Sequence, residues 1–207
     1  MRCRSAPADR PLLLADADIQ IAGVTGREAL CQAFMRSYGG EFQVRSTLDI
    51  MVLHKLIDPP PVEGQVRPAT MDELDALTHW ICAFMEEALH EPADWDVRRE
   101  ACRKRIEDGS RWVLEAPDGT LLSTVSTSRR MARSIGITAV YTPPEHRGKG
   151  YCQFAVASLC RKMLAAGFES CTLFVDQKNP VSNRVYKKIG FEILEDSSEY
   201  KLLEKLP

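Results

Sequence analysis

The sequence predicts an α+β fold: a mixed, mostly antiparallel sheet flanked by helices. Three observations predict it. The strand-like runs Arg111–Glu115, Leu121–Ser128 and Ser134–Tyr141 follow one another across short connections, as antiparallel neighbours do. Stretches with helical apolar spacing bracket these runs on both sides. The third run feeds a helix and then a short apolar strand, which asks for one parallel crossover.

Taken in order, residues 1–18 carry little pattern. Arg2 and Arg4 precede Leu12-Leu13-Leu14, but Asp16 and Asp18 end that run too early for a signal peptide. Residues 19–24 read as a strand. Leu30, Ala33, Phe34 and Tyr38 then recur at helix spacing after Gly26, and Gly39-Gly40 ends the period. Phe42, Val44, Leu48, Ile50 and Val52 alternate, with Ser46 the lapse, so a long half-buried strand follows. Asp58-Pro59-Pro60-Pro61-Val62-Glu63-Gly64 is the best linker in the chain, because three prolines remove donors and extend the backbone. It divides an N-terminal segment, residues 1–64, from a domain of residues 65–207.

Residues 65–69 form a short strand. Thr70-Met71-Asp72-Glu73 is a capping box for the helix that carries Leu74, Leu77, Ile81, Phe84, Met85 and Ala88. A second helix spans Trp95–Glu107 and stops at Gly109. Pro117-Asp118-Gly119 turns the first of the three strands into the second. After Gly150, Tyr151, Phe154, Ala155, Leu159 and Met163 share a helix face that ends at Gly167. Residues 171–175 are a short strand with both faces buried. A helix covers 179–189, with Pro180 in its first turn. A last strand begins at 191–194 and resumes at 199–203.

Bulk properties exclude several classes. The 207 residues are 44% hydrophobic and 27% charged, with a formal net charge of −2. Nothing in that balance favours nucleic acid or a membrane surface as partner. No segment is long and apolar enough to span a membrane. Seven cysteines, odd in number and without a Cys-x-x-Cys, argue against a disulfide framework or a zinc site and for a reducing, cytoplasmic setting. No metal is expected.

Chemistry concentrates between Ala139 and Cys152. An apolar strand end, Ile137, Ala139, Val140 and Tyr141, is stopped by Pro143-Pro144. The basic turn Arg147-Gly148-Lys149-Gly150 then opens a helix. A helix N-terminus has unpaired N–H groups and partial positive charge, and glycines admit an anion to the backbone. On the residues alone the turn is either an anion site or a plain strand-to-helix connection with solvated charges. A nucleoside-triphosphate P-loop is ruled out, since Gly-x-x-x-x-Gly-Lys-Ser/Thr is absent.

Three features coincide in order and spacing. They are Val140-Tyr141-Thr142-Pro143-Pro144 with Arg147-Gly148-Lys149-Gly150; Asn179-Pro180-Val181-Ser182-Asn183-Arg184-Val185-Tyr186-Lys187-Lys188-Ile189-Gly190-Phe191; and Arg67-Pro68-Ala69-Thr70 before a capped helix. Together they resemble the GNAT superfamily of acetyl-CoA-dependent N-acetyltransferases, over residues 65–207. The resemblance implies that Arg147, Gly148, Lys149, Gly150, Tyr151 and Cys152 cradle the pyrophosphate of acetyl-CoA, a co-substrate, with His146 beside the phosphates. Cys152 departs from the family's Gly or Ala, which tightens the fit there. It also raises an acyl-cysteine idea, although a small buried helix residue is the simpler reading. The strand from Thr138 through Ala139 and Val140 to Tyr141 would pair with the pantetheine arm, and the Val140 N–H would polarise the thioester carbonyl. Asn179 would bond the pantetheine with Ser182 on the same wall. Tyr186 would protonate the leaving thiolate, or else simply pack on the sheet.

The resemblance implies a primary amine of a small molecule or peptide as acceptor, and its proton would need a taker. The family often supplies a glutamate on the strand before the turn, and residues 134–141 contain none. Glu86, Glu87 and His90 at the end of the first helix of the domain could face the acceptor, as could Tyr141 or a water chain; Glu87 is the residue named as base. His54 and His79 have no constellation around them. Arg129, Arg130 and Arg133 could bind an acidic acceptor or form a solvated loop. The alternative function is a catalytically weak module that senses acyl-CoA. Residues 19–57 resemble the last third of a second, shortened GNAT unit whose strand would dock on the sheet of the domain, so the protein is expected as a monomer or homodimer.

Overall fold

A computed structural model of the chain describes residues 21–89 and 92–204. The expectations for residues 1–18 and for His90 therefore lie outside the described residues, as does the start of the strand expected at 19–24. The described residues form eight strands and five helices: β1 (Gly23–Gly26), α1 (Glu28–Tyr38), β2 (Glu41–Leu53), β3 (Gln65–Pro68), α2 (Leu74–Leu89), α3 (Trp95–Glu107), β4 (Arg111–Glu115), β5 (Leu121–Ser128), β6 (Ser134–Tyr141), α4 (Tyr151–Ala165), β7 (Ser170–Asp176), α5 (Pro180–Lys188) and β8 (Glu192–Glu204). Short 3-10 turns at Met71–Glu73 and Pro144–His146 precede α2 and the glycine turn.

The chain divides into two compact units. The larger holds residues 51–175 and 179–193; the smaller holds the described residues up to 50, 176–178 and those from 194 on. In the larger unit the strand order is β7-β6-β5-β4-β3. Neighbours from β3 to β6 are antiparallel, and β6 and β7 are parallel. Alternation along β4 sets the layers. Leu114 joins the core cluster with Val156, Leu159 and Ile189 of the α4 and α5 side, while Val113 joins Leu74, Leu77 and Ile106 of α2 and α3. Helices thus cover both faces of the mixed sheet in this unit. Glu73 accepts from the Thr70 N–H at 2.8 Å, closing one half of the box ahead of α2. Asp94 caps α3 by accepting from the Val97 N–H at 3.0 Å.

In the smaller unit the order is β1-β8-β2, and β1 runs antiparallel to β8. Of the strand expected at 19–24, residues 21 and 22 stay outside, and the described strand runs Gly23–Gly26. Its pairing depends on glycine: a Cβ at Gly23 would sit 2.1 Å from the Tyr200 carbonyl oxygen, so only glycine lets the two backbones approach there. β8 is one unbroken strand where the sequence suggests two pieces. Its polar middle is held by partners rather than by apolar contact: Glu195 takes an ion pair from Arg27, and Glu199 takes one from Arg45 at 2.9 Å.

Candidate functional site

The site begins with a defect in β6. Thr124 pairs with Tyr141 and Ser126 with Thr138, so three steps on β6 face two on β5. The extra residue is a β-bulge, and Ala139 sits in it with φ +49°. A non-glycine residue in this region is strained, and such strain is held by its surroundings. On the other edge, β6 pairs with β7 only from Ser134/Ser170 to Gly136/Thr172. Beyond that point the ladder ends, and among the described residues no strand pairs with β6 from Ile137 to Tyr141 on that side. Thr138, Ala139 and Val140 are half-buried there, and Val140 also packs on the core.

The slot runs into the glycine turn. His146 and Arg147 close a 3-10 turn through their N–H groups, to Pro143 O at 2.9 Å and Pro144 O at 3.2 Å. Gly148 and Gly150 follow with φ +77° and +82°, and a Cβ built on either meets no atom within 4 Å. Alternating left-handed glycines turn successive N–H groups toward one concavity, a nest for an anion. Gly150 is the N-cap of α4 and carries no side chain to satisfy the first N–H groups, so the positive end of a 15-residue helix opens here. Tyr151 is half-buried with its ring 6.3 Å from that of His146. Lys149 folds back, donating from Nζ to the Glu145 carbonyl at 3.3 Å.

Cys152 follows in the first turn of α4, and burial pushes its thiol up to about 12. At neutral pH it is a thiol, not a nucleophilic thiolate. Tyr186 lies under α5 within the main core, its ring 6.0 Å from Phe191 in an edge contact. Burial, with the nearby thiols of Cys152 and Cys160, raises its hydroxyl well above the ordinary tyrosine value. Asn179 caps α5: its Oδ1 accepts from the Ser182 N–H at 3.0 Å, which leaves the amide NH2 as the side-chain donor available to a ligand.

Three separated residues meet at the end of β6. Glu87, on the last turn of α2, accepts from the Tyr141 hydroxyl at 2.9 Å and from Arg147 at 2.6 Å. Arg147 also donates to the Thr142 carbonyl, and its guanidinium lies 5.5 Å from the Tyr141 ring. Burial alone would raise the Glu87 carboxyl, but the two donors hold it below its ordinary value. Burial and Glu87 together push Tyr141 up to about 12. Sequence reasoning named Glu87, Tyr141 and Arg147 separately and missed their union. It also missed Trp80, whose ring is 6.3 Å from Tyr141. The available signal was spacing: residues 80 and 87 lie two turns apart on one face of α2. Glu86 is exposed on that helix.

An open strand edge that runs into a glycine turn at a helix N-terminus has room for a long, extended ligand that carries an anion. A model of the acetyltransferase (GNAT) family matches residues 74–191, more than half of the chain, and the chain belongs to that family. Its fold is similar to that of an acetyltransferase from the GNAT family of Colwellia psychrerythraea, with TM-score 0.64 and 15% identity over 89% of this chain and 64% of that one. It is also similar to a GCN5-related N-acetyltransferase from Sphaerobacter thermophilus, with TM-score 0.59 and 16% identity over 88% and 61%. A third likeness is to a ribosomal-protein-alanine N-acetyltransferase from Brucella melitensis, with TM-score 0.52 and 20% identity over 67% and 99%. The chain spans less than two thirds of the length of the first two. No curated protein matches it by sequence.

The family implies acetyl-CoA as co-substrate, and the residues present fit it. The unpaired edge of β6 suits an extended amide-bearing arm. The open space above Gly148 and Gly150 suits a pyrophosphate, which a side chain at either position would intrude upon.

Proposed function

We propose that this protein transfers an acetyl group from acetyl-CoA to a primary amine of a small molecule or peptide, by direct attack of the nitrogen on the thioester. The observation that carries the reading is the combination of the β6 bulge at Ala139 with the strand edge left unpaired beyond Gly136. The co-substrate supplies the activated acyl carbon. The N–H groups from Arg147 to Cys152 would hold its pyrophosphate, and the Asn179 amide would bond its arm near Ser182. The Val140 N–H, beside the bulge, would donate to the thioester oxygen as charge develops on it. The nitrogen lone pair forms the new C–N bond as the C–S bond breaks, and Tyr186 would give its proton to the departing sulfur.

Glu87 is the proposed taker of the amine proton, directly or through water. Held below its ordinary value it is a weak base, so the rate should rise with pH as the acceptor amine itself loses its proton. Tyr141 orients Glu87 through its hydroxyl. The free cysteines fit a reducing, cytoplasmic setting, and a monomer or homodimer is the proposed state.

A second reading, a GNAT-fold sensor of acyl-CoA with little turnover, is favoured by one observation: both oxygens of Glu87 are already engaged, by Tyr141 and Arg147. Incubation with acetyl-CoA and a panel of amines, following free thiol released, separates the two. Release that depends on an amine supports the transferase. Binding of acetyl-CoA with no release on any amine supports the sensor.

A further inference from the structure

The face of the sheet that carries Tyr141 holds a second charged feature. Cys171, Leu173 and Val175 of β7 point into the core with α4, so Phe174 points the other way, toward the face on which Tyr141 meets α2. Phe174 is 38% exposed, a large aromatic ring left partly open on the sheet floor. The Arg129 guanidinium lies over that ring, 4.5 Å from its centroid. Arg129 directly follows β5 and has φ +40°, a strained conformation for a side-chain-bearing residue. Stacking spends the flat face of the guanidinium and leaves its in-plane N–H donors pointing outward, the arrangement that recognises carboxylate or phosphate.

The surroundings are positive and poorly compensated. A cavity of about 450 Å³ beside Arg129 is lined by Arg105, Arg130 and Lys104 as well, the last ion-paired with Glu100 at 3.4 Å, with Asp108 as the one carboxylate in the lining. Arg105 donates to the Thr127 carbonyl at 3.1 Å, and Arg130 stacks on Phe168 at 5.2 Å. Among the described residues no carboxylate pairs with Arg105, Arg129 or Arg130, whereas Arg133 of the same connection is ion-paired with Glu169. Arg111, only 2% exposed, adds a buried charge whose Nε and Nη1 meet no acceptor among the described residues. Burial lowers its pKa to about 10, and the like charge of Arg105 works in the same direction. Arg105, which repels Arg111, is a lining residue of the cavity, so an anion bound there offsets its charge.

We propose that Arg129 binds an anionic group, carboxylate or phosphate, carried by the amine acceptor itself. This rests on the acetyl-transfer reading above and names its substrate class: amines with a negative charge set apart from the reacting nitrogen. Sequence distance bounds the separation. Gly136 and Thr172 are the last pair joining β6 to β7; beyond it Phe174 lies two residues along β7 and Val140 four along β6. The charge is then a few residue lengths, on the order of 10 Å, from the reacting centre, so acceptors of intermediate length should fit best.

The test uses the full chain, saturating acetyl-CoA and three acceptor series of graded length: ω-amino acids, aminoalkyl phosphates and uncharged alkylamines. The expected result is a kcat/KM at least about tenfold higher for the charged series than for length-matched alkylamines, peaking at intermediate length. Arg129→Gln should abolish that preference through KM while acetyl-CoA affinity and Tm stay unchanged, and Arg129→Lys should restore part of it. The ranking of carboxylate against phosphate identifies the anion. Equal use of charged and uncharged amines, or a preference that survives Arg129→Gln, overturns the proposal. Should no amine be turned over, the transfer reading fails, and calorimetry with glutarate and with inorganic phosphate reads the anion site by itself. Binding to the wild type that is lost in Arg129→Gln supports it; binding indifferent to the substitution, or none, overturns it.

Discussion

Arg147 donates to Glu87 at 2.6 Å, joining the first residue of the glycine turn to the end of α2 across 60 positions of sequence. Both side chains are about half exposed, 47% and 44%, so the pair is worth no more than about 1 kcal/mol. Its effect lies in competition. The guanidinium must turn from a carboxylate before it can turn to a phosphate. Glu87→Gln is expected to tighten acetyl-CoA binding by about two- to fivefold, measured by calorimetry. The gap should close at high salt, which screens the pair in the wild type. Weaker binding in the variant would show that Glu87 instead holds the turn in shape.

The glycine turn makes a prediction with an internal control. Gly148 and Gly109 have nearly the same backbone, φ +77° and +71°, and a Cβ at either meets open space. Alanine at each should cost about 1 kcal/mol of stability through the left-handed conformation alone. Only Gly148 belongs to the proposed nest. Gly148→Ala should therefore weaken acetyl-CoA binding about tenfold, and Gly109→Ala should leave it unchanged. Equal affinities in the two variants would remove the pyrophosphate role of the turn.

Legibility followed how local the determining physics is. β4, β5, β6 and α3 could be read off residue by residue because their apolar period, their caps and their turn residues agree within a few positions. The glycine turn was legible for the same reason. The bulge at Ala139 was not: alanine gives no sign that it will be held at positive φ, which the pairing of β6 imposes. Glu87, Tyr141 and Arg147 were each visible as charged or polar residues, but what joins them is the packing of α2 beside the end of β6. The continuity of β8 was hidden because ion pairs at Glu195 and Glu199 replace the alternation that marks a strand. Tyr186 reads from the sequence as a catalytic residue first and a core residue second; the structure packs its ring in the core, a placement that its spacing with Val185 and Ile189 on one helix face already allows.

Arg67 sets a pH dependence of stability. It pairs with Glu73 at 2.5 Å and Glu115 at 2.6 Å, tying the entry of α2 to the β3–β4 ladder. The hydrogen bond from Arg67 holds the Glu115 carboxyl below 4.5. A carboxylate lowered on folding contributes stability that is complete above its unfolded value and is lost as pH falls through the folded one. Tm should therefore be flat above about pH 5 and fall below it. Arg67→Met should flatten the part of that fall owed to Glu115. Thermal melts from pH 3 to pH 7 check this; parallel curves for variant and wild type would exclude the link.

Tyr186 admits a test that separates structure from catalysis. No hydrogen bond to its hydroxyl occurs among the described residues, and the ring is almost fully enclosed. The hydroxyl loses no protein partner and is not among the fully enclosed polar atoms that lack one, so Tyr186→Phe should leave Tm close to that of the wild type. Acetyl-CoA affinity should also hold. If the hydroxyl protonates the departing sulfur, kcat should drop about 10²- to 10⁴-fold. Burial keeps that proton in place above the ordinary tyrosine value of 10, so the kcat profile of the wild type should rise with the acceptor amine and show no descending limb below pH 10. An unchanged kcat in the phenylalanine variant, or a descending limb below pH 10 that persists in that variant, would take the proton-donor role away from Tyr186 and leave it as a core residue.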